Sequence, residues 1–136
     1  MIYQMNDELT KKYTSELLKD GIFELLPAPK TTYEIDGCVI SFESKSGIHV
    51  GFIQDRGLEV SCRVGIEDYL SPYLEDVLYA IDMKTPKYHD DFLELMQVAS
   101  KVIIENLDKI EQAFDDEHIK ETKRRIESSA ILRWRK

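Results

Sequence analysis

The sequence is poor in the residues that cross-link or punctuate a chain, with two cysteines, four prolines, six glycines and one tryptophan in 136 residues. Two cysteines cannot build the disulfide scaffold on which small secreted domains rely. Cys38 and Cys62 each fall in phase with the apolar positions of a predicted strand, so buried thiols in a reducing compartment are expected. No apolar run approaches the ~20 residues needed to cross a bilayer. The stretch Met1-Ile2-Tyr3-Gln4-Met5-Asn6-Asp7-Glu8 turns acidic at once, unlike a secretory signal, and the expected location is the cytoplasm.

Local catalytic and ligand-binding motifs are missing as well. His49, His89 and His118 lie far apart, and no His-x3-His, Cys-x2-Cys or HExxH spacing brings donors together, so no metal site is expected. There is no Gly-x-Ser-x-Gly elbow. Gly47, Gly51 and Gly57 fall in hairpins and turns and do not open a helix after a strand, which excludes the common phosphate-binding loops. The clusters His89-Asp90-Asp91 and Asp115-Asp116-Glu117-His118 stand where helices should begin, and carboxylates there oppose the helix dipole, so they read as caps. No catalytic residue or cofactor can be assigned, and the chain reads as a non-enzyme.

What is present suits one α+β domain over residues 1–136. The hydrophobic share of 43% and charged share of 32% are globular. The net charge of −8 conceals an asymmetry: residues 1–119 carry 24 acidic and 11 basic side chains, residues 120–136 carry 2 and 7. The acidic body should repel nucleic acid and anionic membranes and attract a basic protein. The basic tail, ending in Arg133-Trp134-Arg135, has an apolar stripe beside its charges. It is expected to pack on the acidic body or, as a homodimer through this C-terminal helix, on a second copy.

Apolar spacing near four predicts a first helix over residues 6–20, stopped by Gly21, with Pro27-Ala28-Pro29 leaving room for a short extended piece between. From Tyr33 the period becomes two. Cys38, Ile40 and Phe42, then Ile48, Val50 and Phe52, then Leu58, Val60, Cys62 and Val64 share one apolar face, joined at Lys45-Ser46-Gly47 and Asp55-Arg56-Gly57. With residues 31–35 as a fourth strand, this is a three- to four-stranded antiparallel meander.

Ser71-Pro72 predicts a short helix start, and Thr85-Pro86 opens a long one reaching Phe114. At 1.5 Å per residue that helix would be about 43 Å long, too long for the domain unless it bends or overhangs. A last helix follows Asp115, giving two to three C-terminal helices in all.

The successions Ser46-Gly47-Ile48-His49-Val50-Gly51-Phe52, Asp55-Arg56-Gly57-Leu58-Glu59-Val60 and Tyr73-Leu74-Glu75-Asp76-Val77-Leu78 resemble small bacterial proteins of the immunity-protein kind, which accompany secreted polymorphic toxins. The resemblance covers residues 35–82 and carries over no functional residue. It implies an antitoxin that covers a basic toxin domain, in keeping with the acidic body. The expected contact residues are Glu67, Asp68, Tyr69, Tyr73, Glu75 and Asp76. Tyr69, Tyr73, Tyr79 and Tyr88 line an interface or close the core end. The alternative is a regulatory domain that binds a small molecule or peptide between the apolar sheet face and the long helix.

Overall fold

The two-residue alternation read from the sequence becomes an antiparallel sheet in the structure, a computed structural model that describes residues 2–35, 37–55, 59–70, 72–86 and 91–134. Its strands are β1 (Phe23–Leu25), β2 (Thr32–Glu34), β3 (Gly37–Ser44), β4 (His49–Gln54) and β5 (Val60–Gly65). They form the expected meander, β2-β3-β4-β5, and the short piece before the prolines adds β1 beside β2 on the same edge of β3. The β3–β4 turn closes with Gly47 at φ 89, a conformation glycine adopts without strain. The second expected turn, at Arg56-Gly57, lies outside the described residues.

Cys38, Ile40, Phe42, Val50, Phe52, Cys62 and Val64 point to one side and are buried, and Phe42 meets Phe52 edge to face with centroids 6.0 Å apart. Among the described residues, six α-helices accompany the sheet: α1 (Asp7–Tyr13), α2 (Ser15–Leu18), α3 (Leu74–Ala80), α4 (Phe92–Glu105), α5 (Leu107–Ala113) and α6 (Ile119–Trp134). α4 covers the apolar side with Phe92, Leu95, Met96, Ala99 and Ile103, all fully buried, and α1 and α2 pack against it. Among the described residues, these side chains fill the space between sheet and helix.

Three helix boundaries differ from the sequence reading. The first helix breaks at Thr14, whose hydroxyl donates to the Thr10 carbonyl at 2.6 Å, a local bond that competes with helix propagation. The long helix does not start at Pro86; Asp91 caps α4 by accepting from the Leu93 and Glu94 amides, while His89 and Asp90 lie outside the described residues. It also breaks at Asn106 (φ −115, ψ 14), whose amide side chain donates to the Val102 carbonyl, and this break resolves the excess length. α3 starts at Leu74 instead of Pro72, because Tyr73 first bridges Arg63 as an extension of the sheet. The expected cap Ser71 is outside the described residues. Asp115 caps the turn into α6 as expected, accepting from the His118 amide at 2.8 Å.

The basic tail folds back on the body. Asp76 on α3 is only 3% exposed, accepts two bonds from Arg133 Nη1 at 3.0 and 2.9 Å, and accepts a third from the Ser129 hydroxyl at 2.7 Å. Arg125 donates to the Ala80 carbonyl at the end of α3, satisfying a group the helix itself cannot. Arg124 pairs with Glu121. Removing Arg133 would strand a buried carboxylate, whereas removing Asp76 would leave an arginine that reaches water. Arg133→Ala should therefore destabilise the protein by about 3 kcal/mol, and Asp76→Ala by about half that. Urea unfolding that ranks the two the other way round would contradict this account.

Cys38 and Cys62 are free and buried, and they are not cross-strand partners. Burial pushes the Cys38 thiol up to about 11, although Gln54 Nε2 lies within reach of the sulfur, and burial raises Cys62 well above its usual range. At about pH 8 native protein should leave both thiols untouched by a disulfide reagent, while unfolded chain reacts at both. Fast reaction of the native protein would refute the burial.

Candidate functional site

The polar side of the sheet is where charged groups converge. Register fixes its rows: Glu43, His49 and Gly65 lie in one, Ser41, Gly51 and Arg63 in the next, Val39, Ile53 and Ser61 in a third. Glu24 on β1 extends the first row beyond Glu43. Past β5 the chain doubles back in a tight turn, with mutual backbone bonds between Ile66 and Tyr69 at 3.1 and 2.8 Å. The Tyr69 carbonyl oxygen lies so close over Gly65 that a Cβ there would sit 1.9 Å from it. Glycine is needed at this position because any side chain would collide with backbone.

This fold-back swings Glu67 over the row. His49 Nε2 lies 3.0 Å from Glu43 Oε2 and 3.1 Å from Glu67 Oε2, and Lys30 Nζ stands 4.0 Å from the Glu67 carboxylate. The side chain of His49 is 10% exposed, while Glu67 is 69% exposed. The two short distances do not make hydrogen bonds: Nε2 is sealed from solvent and has no hydrogen-bond partner, because neither oxygen lies in a bonding direction. The donors of Glu43, His49 and Glu67 all lie within 4.8 Å of one another. An imidazole with two carboxylates can share a proton or hold a cation.

A second cluster lies at the β5 edge. The Arg63 guanidinium is 3.7 Å from the Tyr73 ring centroid and that of Arg133 is 4.6 Å from it, so both cations stack on one aromatic ring. Lys123 sits 5.1 Å from the Tyr69 ring, which also meets Phe114 at 6.5 Å. Burial raises the Tyr69 hydroxyl above its ordinary range, with Glu127 and Asp76 adding to the effect.

No family model matches the chain, and neither does any curated protein or solved structure.

The six residues expected to meet a partner thus separate. Glu67 and Asp68 are exposed on the turn after β5, and Glu75 is half-buried. Tyr69 and Tyr73 are half-buried and stacked with basic groups of the chain's own tail, and Asp76 is an internal anchor for Arg133. Tyr79 is exposed, and Tyr88 lies outside the described residues. The grouping of Glu43 and His49 escaped a search for ligand spacing along the chain because it arises across a hairpin. Alternation on both strands, with a turn at Lys45-Ser46-Gly47, was the signal that could have paired them.

Gly65→Ala should destabilise the protein by about 1–3 kcal/mol through overpacking and displace the Glu67 turn. Gly51→Ala, whose Cβ would lie 3.9 Å from its nearest neighbour, Arg63 Cβ, should change little. Thermal melts of the two variants check this, and equal effects would count against the fold-back.

Proposed function

We propose that the protein is a non-enzymatic, acidic binding module that covers a basic partner protein with the open face of its sheet, as an immunity protein covers a toxin domain. One observation supports this above others. Val39, in the middle of an inner strand, is 40% exposed, Ile53 beside it is half-buried, and carboxylates stand at both ends of that face. Glu34, Asp55 and Glu59 are exposed at one end, and Glu24, Glu43 and Glu67 carry the other. An apolar patch beside exposed carboxylates, with Ser41, Gly51 and Arg63 in the next row, has the anatomy of a protein interface.

The charge of the tail sharpens the reading. Because Arg124, Arg125 and Arg133 are engaged inside the chain, they do not neutralise the acids on the sheet face. A basic protein approaching that face is steered by it, and its Lys and Arg side chains gain partners there. A homodimer through the C-terminal helix is a second reading, favoured by Ile131 and Leu132, which are 55% and 51% exposed on α6. Sedimentation separates the two, since a monomer in solution leaves the sheet face as the binding surface.

The test is capture of the tagged full chain's partner from its native cell, followed by association kinetics with the purified partner. The combined variant Glu34→Lys, Asp55→Lys and Glu59→Lys should slow association about tenfold or more at low salt and much less at high salt. Glu16→Lys, on α2, should not. A partner held equally well by the triple variant, or no stoichiometric basic partner at all, would overturn the proposal.

A further inference from the structure

We propose that Glu43, His49 and Glu67 form a binding site for a divalent transition-metal ion of the Zn2+ class. The inference is independent of the partner reading and rests on how the three donors are arranged. Among the described residues this is the one group of three His, Cys, Asp or Glu side chains whose donor atoms converge. The imidazole is nine-tenths buried, and its Nε2 points into the group without a hydrogen bond of its own. In a plain ion pair the N–H would be aimed at one of the two oxygens. Here both oxygens flank the nitrogen at nearly equal distances of 3.0 and 3.1 Å.

The geometry suits a small cation. Bonds of about 2.0–2.2 Å from one tetrahedral ion separate its donors by about 3.4 Å, so the two separations from His49 Nε2, 3.0 and 3.1 Å, need to open by only a few tenths of an ångström, and the two carboxylate oxygens lie within 4.8 Å of each other. Both carboxylates have room for that, with Glu43 42% and Glu67 69% exposed. One nitrogen and two carboxylate oxygens suit a borderline ion, and the two negative charges match a divalent one. Glu24, next to Glu43 in the row, adds negative potential. Lys30, 56% exposed and at the limit of contact with Glu67, is placed to compete, and it can swing into solvent. Three protein donors leave a fourth position for water or a partner's side chain, the open arrangement that closed structural zinc sites lack.

The test uses the full chain stripped with a chelator, titrated with Zn2+ by calorimetry and with Co2+ by visible absorption. One equivalent should bind, with tetrahedral Co2+ bands and a shift of the His49 ring signals in NMR. Glu67→Gln, on an exposed turn and compatible with folding, should weaken binding about 100-fold or more, as should His49→Gln. Lys30→Met should strengthen it. Absence of saturable binding at one equivalent, or binding undiminished in folded Glu67→Gln, would overturn the proposal. So would binding lost in His118→Gln instead, which would place the ion at the exposed Asp115–His118 pair.

Discussion

The pleat of β3, β4 and β5 is the constraint from which the rest of the molecule follows. Because side chains alternate strictly, register that sends Ile40, Phe42, Val50, Phe52, Cys62 and Val64 into the core sends Glu43, His49 and Arg63 to the other side. A slip of one residue would bury the charges and expose the core. The energy that holds the register therefore comes from the apolar side, and the polar side inherits its geometry. Glu43 stands opposite His49 because Phe42 stands opposite Val50.

Charge is the second organising element, and it works in opposite senses at the two ends of the chain. A basic helix attached to an acidic body is drawn to it, but attraction between exposed charges is weak and screened. What fixes α6 is a buried carboxylate. Asp76 is nearly out of contact with water, and three bonds from Arg133 and Ser129 satisfy it. Exposed neighbours such as the Arg124–Glu121 pair add little beyond solubility.

The strands were legible in the sequence because their signal is local: three runs of alternation with turn residues between them leave little choice of pairing. α6 and the capping roles of Asp91 and Asp115 were legible for the same reason. The breaks at Thr14 and Asn106 were not, since apolar spacing runs straight through both and the decision falls to side-chain bonds back to the Thr10 and Val102 carbonyls. The start of α3 was misplaced because Pro72 and Tyr73 serve the sheet before the helix begins. Composition marked Asp76 as surface acid, and only the tertiary return of Arg133, 57 residues later, makes it an anchor. The nearness of Glu67 to His49 depends on a contact between the Tyr69 carbonyl and Gly65 that no spacing rule contains.

The two ends of the open sheet face differ in kind. At one end Glu34, Asp55 and Glu59 are exposed carboxylates available to a cation at a protein surface. At the other, Glu43 and Glu67 flank an imidazole nitrogen that water cannot reach. A flexible lysine from a partner meets the first end without desolvation, but at the second it would need to approach a nitrogen that offers it no acceptor when protonated. A compact divalent ion faces no such conflict, since it takes the neutral imidazole and both carboxylates together. Filling the second end would reduce the formal charge there by about two units and leave the first unchanged. The attraction for a basic protein would then concentrate at the Glu34–Asp55–Glu59 end, beside the exposed Val39 and the side chain of Ile35, which is 82% exposed. Apolar contact and charge would there act on the same partner surface, the combination that gives an interface both affinity and speed of encounter.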